Sequence, residues 1–498
     1  MSNSGLYSPG LSHRLTRMNY QVIGFTIGSI LAILGIFQLF PALLDYYDGH
    51  RNAQIFYFCG VVSLFFGGAL VIANKNFKMD VTIRQAFLLT TLSWIFMATF
   101  SALPIYIANP KLDYAKSFFE GMSAITTTGS TVLVGLDDMS RGLLLWRSIL
   151  QMIGGLGIIA FAIVLLPHLK IGGMHLFKTE TSDRSDKPVA RTTTLVRMLV
   201  YVYLFLMGLC MLAYKVLGMS WFDAMNHAMT TVSTGGFSTH DASFGHFGSV
   251  AMEVTCMIFM LCGGIPFILY VYALYGRWQN ILADEQVKGL LAMLAVFISV
   301  LTVWLWLNSE YSIYQSLRYV SFNVISLITT TGYATTDYNP WGPFASMCIL
   351  FITYLGACAG STSGGIKTMR LIIVGRVLRK HLKNLIYPNG VFIANYQGRA
   401  VSDEEGLNIM GFLGLFVALN VLLTLLLTMT GVDLMTAISG AATATANVGP
   451  GLGAVIGPAG NFATLNDTAL WLLSLGMLLG RLEILTVAVI LSMRFWKG

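Results

Sequence analysis

Long apolar stretches alternate with short polar ones along almost the whole chain of 498 residues. Several of them approach 20 residues, the length that an α-helix needs to cross a bilayer. The first two, about Tyr20–Leu44 and Gln54–Ala73, predict an amino-terminal helical hairpin. The first stretch is too long for a signal-peptide core and no small-residue cleavage site closes it, so we expect a retained transmembrane helix.

A short motif recurs between the later apolar stretches. ITTTG stands at Ile125–Gly129 and again at Ile328–Gly332, and VSTGGF (Val232–Phe237) and TANVGPG (Thr445–Gly451) resemble it. The motif returns about every 100 residues, which indicates one diverged repeat used four times. Aligned on one glycine in each copy, the repeats are centred on Gly129, Gly235, Gly332 and Gly449.

Each motif follows a run of about 10 to 16 residues, which is too short to span a bilayer and is typical of a re-entrant half-helix. A residue suited to a helix N-cap precedes each run, namely Asp113, Ser220, Ser312 and Asp433. The runs are Ser117–Thr126, Trp221–Val232, Tyr314–Thr329 and Leu434–Thr445.

Two full-length apolar segments flank each half-helix. The predicted spans are about Arg84–Ile107 and Gly142–Leu166, Leu195–Leu217 and Val250–Tyr275, Gly289–Leu307 and a long stretch from Phe344, and Leu407–Met429 and Ala469–Ser492. Two spans per repeat return the chain to the same side, so all four repeats share one orientation. We expect an all-α polytopic membrane protein with four parallel span–pore-helix–span repeats around a pseudo-fourfold pore, plus the hairpin. The expected boundaries are 1–75 for the hairpin and 76–190, 191–282, 283–400 and 401–498 for the repeats.

Composition supports a membrane protein. Hydrophobic residues make up 55% of the chain and charged residues 11%, with mean hydropathy +0.70, whereas soluble domains carry about 25% charged residues. The net charge of +7 is concentrated in clusters between spans. The positive-inside rule assigns these clusters and both termini to the cytoplasm, and the glycine loops to the outer face. Separation by spans argues against nucleic-acid binding. The clusters are Arg14–Arg17, Lys75–Arg84, Lys170–Arg197, Arg277–Lys288, Lys367–Arg399 and Arg494–Lys497.

The loops have the composition of an ion-binding backbone. Converging loops can direct carbonyl oxygens inward and replace the hydration shell of an ion, and glycine permits the positive φ angles that align successive carbonyls. The carboxyl ends of the half-helices carry partial negative charge, which favours a cation. The loops supply no ring of carboxylates, so we expect a monovalent cation. The alternative is close helix packing through small residues, which four matched copies disfavour.

Nothing in the sequence suggests catalysis. The spans contain no nucleophile–base set or zinc motif, and no phosphate-binding loop occurs. Six scattered cysteines lack metal-ligand spacing and fit small buried hydrophobic residues. We therefore expect no enzyme and no covalently bound cofactor.

The four motifs, ITTTG, VSTGGF, ITTTGYATTD and ATANVGPG, with the extra hairpin, resemble the Trk/Ktr/HKT superfamily over the whole chain, and best the bacterial TrkH/TrkG-type subunit. The resemblance implies gated potassium uptake across the cytoplasmic (inner) membrane, with rubidium also permeant. Members with a serine at the first filter position conduct sodium, so Gly129 favours potassium. Ala446, Asn447 and Val448 depart from the simple motif and imply a less selective filter. The implied potassium-binding residues are Thr127, Thr128, Gly129, Ser233, Thr234, Gly235, Thr330, Thr331, Gly332, Asn447, Val448 and Gly449.

A glycine-rich segment, Gly356–Thr368, interrupts a stretch that runs from Phe344 to about Leu378 and is too long for one span. This predicts a broken helix with a mobile, weakly packed middle. The resemblance implies an intramembrane gate below the filter, and the alternative is a glycine-rich packing face. The implied gate residues are Gly356, Gly360, Ser361, Thr362, Ser363, Gly364, Gly365, Lys367 and Arg481.

Charged residues in the apolar segments are expected to be functional. Arg481 lies in the last predicted span, and the resemblance makes it a positive barrier to cations; the alternative is a structural ion pair, for which Glu483 is badly placed. Lys367 either belongs to the gate or anchors the cytoplasmic side. Glu120 and Glu253 are either buried partners or cation-attracting mouth charges. We expect His227 and His240 to be packed or solvated, and Asp241 and Asp337 to be outer-mouth or solvated charges.

The basic segment Leu378–Gly406 has the character of a docking surface. The resemblance implies a TrkA-like cytosolic regulatory subunit that binds the nucleotide (ATP, ADP or NAD) beneath a homodimer of the membrane chain. The alternative functions are a proton- or sodium-coupled potassium symporter and a non-conducting scaffold. Mid-membrane titratable residues that coupling would need are scarce, which favours the pore.

Overall fold

The computed structural model describes residues 20–75, 82–108, 110–161 and 192–497. Seven described helices are long and apolar enough to span a bilayer, and two bent helix pairs raise that number to as many as nine. The chain is therefore a helical multi-pass membrane protein, as predicted. The basic residues 14–17 and most of the basic cluster 170–197 lie outside the described residues.

The helices follow one another in the predicted order. They are α1 (Tyr20–Tyr47), α2 (Asn52–Ala73), α3 (Ile83–Ile107), α4 (Tyr114–Ile125), α5 (Arg141–Ala160), α6 (Thr192–Val216), α7 (Trp221–Val232), α8 (Val250–Gly264), α9 (Phe267–Leu274), α10 (Gln279–Ala283), α11 (Glu285–Asn308), α12 (Ile313–Ile328), α13 (Pro343–Tyr354), α14 (Thr368–Ile386), α15 (Asp403–Met429), α16 (Leu434–Ala446), α17 (Gly453–Ile456), α18 (Asp467–Arg481), α19 (Leu485–Leu491) and α20 (Met493–Lys497). Short 3₁₀ turns lie at Leu136–Asp138, Ser243–Phe247, Asn339–Trp341 and Phe462–Thr464.

The amino-terminal hairpin packs α1 along α2 and rests on the first repeat. Buried Gln38 donates from Nε2 to the carbonyl oxygen of Phe100 (3.2 Å). Asp45 accepts a hydrogen bond from the backbone nitrogen of Gly142 (2.7 Å). These polar contacts fix the hairpin against α3 and α5, since a buried polar group without a partner is costly.

The four short helices α4, α7, α12 and α16, here called the pore helices, begin directly after the predicted N-cap residues. Three of those side chains accept a backbone hydrogen bond: Ser220 from Asp223, Ser312 from Gln315 and Asp433 from Thr436. Asp113 occupies the N-cap position without such a bond. Polar caps stabilise these helix starts because the first N–H groups have no intrahelical acceptor.

The second span of three repeats is broken rather than straight. A break was expected only after α13, so the prediction of continuous spans Val250–Tyr275 and Ala469–Ser492 is wrong. Helices α8 and α9 meet at 92°, and α18 and α19 at 111°. Pro266 explains the first break, since it lacks the N–H that would continue the helix. At the second, Glu483 adopts a positive φ of 57°.

The repeats pack in chain order around a common centre. Helix α5 contacts α7, α8 contacts α12, α13 contacts α16, and α18 returns to α4. Below this centre, the two-residue strand β1 (Leu355–Gly356) pairs in parallel with β2 (Ile366–Lys367). Strands β3 (Asn395–Tyr396) and β4 (Arg399–Ala400) form a small antiparallel turn in the basic segment between α14 and α15.

Candidate ion pathway

The four glycine motifs share one backbone conformation at the ends of the pore helices. One residue in each motif has a positive φ although it is not glycine, namely Thr127 (51°), Thr234 (50°), Thr330 (57°) and Asn447 (55°). The next residue donates its N–H back to the pore helix, in the pairs Thr128–Ser123, Gly235–Thr230, Thr331–Ser326 and Val448–Thr443. The residue after that is a glycine with positive φ: Gly129 (88°), Gly236 (75°), Gly332 (84°) and Gly449 (115°). Four such matched segments are a repeat in conformation as well as in sequence.

This geometry corrects the register of the second motif by one residue. Gly236, not Gly235, corresponds to Gly129, and Thr234 corresponds to Thr127. Ser233 is the C-cap residue directly after the pore helix, as Thr126 is in the first repeat. VSTGGF contains two adjacent glycines, so sequence spacing alone could not choose between them.

The four segments close into a ring. At each of the four positive-φ glycines, an added Cβ would overlap or crowd a carbonyl oxygen of the next segment. The pairs are Gly129–Gly235, Gly236–Thr331, Gly332–Val448 and Gly449–Thr128. Each contact joins one repeat to the next, and the last joins the fourth repeat to the first. Only glycine combines this positive φ with so close a backbone approach. The ring therefore brings a backbone carbonyl oxygen of each segment against the glycine of an adjacent segment.

Side-chain oxygens at the inner end of the ring also suit a cation. Thr127 Oγ1 and Asn447 Oδ1 are buried and have no hydrogen-bond partner among the described residues. Asn447 Nδ2 donates to Thr128 Oγ1 (2.9 Å) and to the carbonyl oxygen of Met477 (3.0 Å). Buried oxygens without a partner are unusual in native proteins. Together with the negative ends of four helix dipoles, they fit a desolvated monovalent cation.

Polar side chains that sequence reasoning missed hold the ring in place. Gln151 on α5 donates from Nε2 to the carbonyl oxygen of Gly235 (2.7 Å) and accepts from the nitrogen of Phe237 (3.1 Å). It thereby links the first repeat to the second motif. A glutamine in the middle of a predicted span was the available signal, because polar residues at that depth need a partner.

A buried ion pair supports the outer side of the first motif. Arg147 Nε donates to Glu120 Oε1 (2.8 Å), and both side chains are almost fully buried. Arg147 also donates to the carbonyl oxygen of Ser238 (3.1 Å) and lies 4.0 Å from the ring centre of Phe237. Of the two alternatives for Glu120, the buried partner is therefore correct. Glu253 is likewise paired, with Arg318, at 2.7 Å.

The predicted gate segment is hydrogen-bonded to the break in the second repeat. Because Pro266 interrupts the helix, the carbonyl oxygens at the end of α8 are free to accept other donors. Gly264 accepts from the nitrogen of Cys358 (3.1 Å), and Gly263 accepts from the nitrogen of Thr362 (3.2 Å). Residues 357–364 are buried, so the expectation of a weakly packed loop is wrong. The segment Gly356–Gly365, called the plug below, is well packed.

The plug touches the inner end of the ring. The nitrogen of Gly364 donates to Thr330 Oγ1 (2.7 Å), and the hydroxyls of Thr362 and Thr234 are 3.1 Å apart. A side chain at Gly364 would overlap the carbonyl oxygen of Ala446. The plug thus lies directly against the inner end of the ring.

The other predicted gate residues build the plug itself. Gly356 lies in β1, and Gly360 and Gly365 adopt positive φ angles of 76° and 64°. Ser361 Oγ donates to the carbonyl oxygen of Cys358 (2.6 Å) and lies 2.8 Å from Ser363 Oγ. These local bonds keep the turn compact.

Basic side chains surround the plug. Arg481 is the last residue of α18 rather than a residue inside a continuous span, and it donates to the carbonyl oxygen of Thr362 (2.9 Å). Lys367 is only 8% exposed and donates to the backbone oxygen of Ser363, so the cytoplasmic-anchor alternative is wrong. Glu483 pairs with buried Arg370, a partner that sequence reasoning missed. Two basic side chains and one acidic side chain line an adjoining cavity of about 30 Å³, which has room for only about two waters.

The outer mouth is more open and carries both signs of charge. A cavity of about 80 Å³ is lined by the four ring glycines together with His240 and Asp241. Asp241 accepts from the nitrogens of Gly135 (3.1 Å) and Leu136 (3.0 Å). Burial alone would lower the pKa of His240, but the neighbouring carboxylates of Asp223 and Asp137 outweigh it and raise the pKa above its usual value.

The remaining outer residues have separate surroundings. His227 is fully buried, with Nε2 3.0 Å from Ser238 Oγ. It is therefore packed in the protein interior rather than solvated. Asp337 accepts from the nitrogen of Asn339 (2.9 Å) within its own turn. Neither belongs to the ring.

The sequence and the overall fold are similar to those of known proteins. A family model described as TrkH, cation transport protein, matches residues 52–497. The chain is 44% identical over 468 residues to the Trk system potassium uptake protein TrkI of Halomonas elongata, covering 93% of this chain and 94% of that protein. It is 33% identical over 489 residues to the Trk system potassium uptake protein TrkH of Escherichia coli K12, covering 96% and 100%. The crystal structure of the potassium transporter TrkH from Vibrio parahaemolyticus superposes with a TM-score of 0.89 at 33% identity, covering 96% of this chain and 100% of that one.

Proposed function

Because the chain belongs to the TrkH family of cation transport proteins, we propose that it takes up potassium across the bacterial cytoplasmic membrane through a gated pore. The ring of four glycine–carbonyl contacts is the observation that carries this proposal. Potassium is the transported ion, and rubidium is expected to follow the same path. The filter residues are Thr127, Thr128, Gly129, Thr234, Gly235, Gly236, Thr330, Thr331, Gly332, Asn447, Val448 and Gly449.

The plug acts as the gate, and Arg481 acts as its electrostatic barrier. A fixed positive charge beside a narrow path disfavours cation passage, since desolvated charges interact strongly at short range. Arg481 is bonded to the backbone of the plug, so movement of the plug would also move the barrier. Opening requires the bonds from Gly364 to Thr330 and from Thr362 to Gly263 to break.

The remaining parts of the proposal concern organisation. The hairpin occupies 1–75 and the four repeats 76–190, 191–282, 283–400 and 401–498, with both termini in the cytoplasm. The basic segment Leu378–Gly406 docks a TrkA-like cytosolic subunit, which binds the nucleotide, and two membrane chains form a homodimer. Exposed apolar side chains such as Leu382, Leu385 and Val391 in this segment support a docking surface.

The test is rubidium uptake into proteoliposomes that contain trapped potassium and the purified chain. Uptake down the gradient, with competition by potassium over sodium and lithium, is expected. In Gly129→Ser, the serine would crowd the carbonyl oxygen of Gly235, and we expect the preference for potassium over sodium to fall about tenfold, a loss near 1.4 kcal/mol. Gly414→Ser, an exposed helical position with open space around it, is the matched control.

Two results would change the proposal. Uptake that occurs only with an imposed proton or sodium gradient would identify a coupled symporter. If Gly129→Ser behaved like Gly414→Ser, the ring would not be the filter. Absence of flux would be followed by addition of the nucleotide-loaded cytosolic partner, and continued absence would reject a conducting pore.

A further inference from the structure

Two outer loops that belong to different repeats bring three metal-ligand side chains together. Asp137 lies in the 3₁₀ turn after the first motif, and His240 and His246 lie in the loop after the second. One ligand atom from each of the three lies within 4.8 Å of the others. Such a meeting of residues more than a hundred positions apart depends on the tertiary fold.

Hydrogen bonds that involve Asp241, which is not one of the three, fix the two loops to each other. The carboxylate of Asp241 accepts from the nitrogens of Gly135 (3.1 Å) and Leu136 (3.0 Å), at the start of the turn that carries Asp137. Asp137 in return accepts from the nitrogen of Asp241 (3.3 Å). The three side chains are therefore presented by a braced frame, which reduces the ordering cost of binding.

The two histidines lie face to face. Their ring centres are 3.5 Å apart and their planes differ by 1°. Because a metal binds in the plane of an imidazole ring, one of these two parallel rings has to turn for both to bind the same ion. Two imidazoles with one carboxylate form a ligand set that Zn²⁺ commonly takes, with water completing the shell.

A second carboxylate, that of Asp223, lies on the side of His240 away from Asp137. The Nδ1 atom of His240 faces Asp137, while its Nε2 atom lies 3.5 Å from Asp223 Oδ1. Asp223 is itself held by hydrogen bonds from Ser220 Oγ (2.6 Å) and Thr239 Oγ1 (2.7 Å). Histidine metal ligands characteristically donate their other ring N–H to a carboxylate, which orients the ring and raises its basicity. His240 Nε2 faces Asp223 at 3.5 Å without forming a hydrogen bond, so metal binding would have to draw the two groups together to complete this arrangement.

The group lies at the mouth of the pathway and can be reached from outside. Asp137 is 47% exposed on its side chain, and His246 is also exposed. His240 and Leu136 line the outer cavity together with the ring glycines. A divalent cation held here would place positive charge beside the path that an incoming monovalent cation must take.

We propose that Asp137, His240 and His246 form an external binding site for a divalent transition-metal cation, with Zn²⁺ as the probe, and that its occupation slows cation access to the ring. The second half of this proposal rests on the proposed pore function, whereas the first half does not. Asp223 is a positioning residue that acts through His240.

Zn²⁺ binding to the full-length purified chain tests the site without any transport measurement. Isothermal titration should show one site that is lost in His246→Ala and in His240→Ala. Asp223→Asn should keep the site but weaken binding by about tenfold, the usual effect of removing a carboxylate behind a metal-ligating histidine. His381→Ala, which removes an exposed histidine on helix α14, is the matched control and should bind like the unmodified chain.

Rubidium uptake tests the effect on the pathway. External Zn²⁺ should inhibit uptake by the unmodified chain and by His381→Ala, and should lose that effect in His246→Ala, with each variant scored against its own uptake without metal. No Zn²⁺ binding to folded protein, or equal binding by His246→Ala and His381→Ala, would overturn the site. Binding at the site without inhibition of an active transporter would overturn its role at the mouth. Failure of the pore proposal would appear instead as absent uptake with Zn²⁺ binding intact.

Discussion

The ring and the plug are both glycine-rich, threonine-containing segments on one pathway, yet they are held in different ways. Each ring segment follows its own pore helix and is bonded back to it, and the same bond recurs four times. The plug occurs once, and it is held by bonds to neighbouring elements: the broken end of α8, Gln286 on α11 and Arg481 on α18. In the proposed pore, ion selection therefore depends on a structure repeated four times, and closure depends on one that occurs once. Substitutions should therefore separate the two properties.

The largest effect should come from breaking the support of the ring. Arg147→Ala leaves Glu120 buried without its cationic partner, which costs about 3–5 kcal/mol in comparable sites. We expect a large fall in the melting temperature of the detergent-solubilised protein. Arg141→Ala, which removes the half-exposed partner of Asp48, is the matched control, because exposed pairs contribute only about 0–1 kcal/mol. Similar melting temperatures for the two variants would mean that the buried pair does not stabilise the ring.

The next effect should be on selectivity and should decide the register of the second motif. Gly236 has a positive φ and lies against the carbonyl oxygen of Thr331, whereas a side chain at Gly235 would meet only the side chain of Gln151. Gly236→Ser should lower the preference for potassium over sodium by about 10- to 100-fold, equivalent to about 1.4–2.8 kcal/mol. Gly235→Ser should have a smaller effect in the same competition assay. The reverse order would restore the register expected from sequence.

An intermediate effect is expected at the barrier. Arg481→Ala removes positive charge and the bond to Thr362, so rubidium uptake should rise about tenfold while ion preference stays unchanged, as for a lower electrostatic barrier of about 1.4 kcal/mol. Arg481→Lys keeps the charge and is the matched comparison. Uptake that rises equally in both variants would assign the effect to the lost hydrogen bond rather than to the charge.

The smallest effect should come from one supporting bond of the plug. Gln286 Oε1 accepts from the nitrogen of Ala359 (2.9 Å) and touches no part of the ring. Gln286→Leu removes one hydrogen bond, about 1 kcal/mol, so the closed state should weaken and basal uptake should rise about threefold to fivefold. A change in ion preference in this variant would contradict the separation of closure from selection.

The elements could be predicted from sequence because the bilayer imposes simple lengths. Apolar stretches near 20 residues gave the spans, and runs that were too short to cross, with polar N-caps, gave the pore helices. The breaks after α8 and α18 were missed because their apolar composition continues through the bend. Pro266 was the available signal for the first. For the second, only the backbone reveals the strained conformation at Glu483.

Site residues in the repeated motif could be predicted from sequence. Site residues that depend on contacts between distant parts of the chain could not. Thr127, Thr330 and Gly332 are visible from recurrence alone. The pairs Glu120–Arg147 and Arg370–Glu483 join residues that are far apart in the chain. No local pattern specifies such partners. The plug was misjudged as loosely packed because glycine content reports conformational freedom and not the acceptors that a neighbouring broken helix provides.

The contact between Gly449 and the carbonyl oxygen of Thr128 has a consequence for biogenesis. This contact closes the ring, because it joins the fourth motif, which is synthesised last, to the first motif. Since chains are made from the amino terminus, a partly synthesised chain in the membrane has at most three sides of a conduit. The ring of the proposed pore is complete only after the final repeat is inserted, when the plug and the basic side chains around it are also present. In the proposed pore, a partly synthesised chain would thus lack a selective path across the membrane.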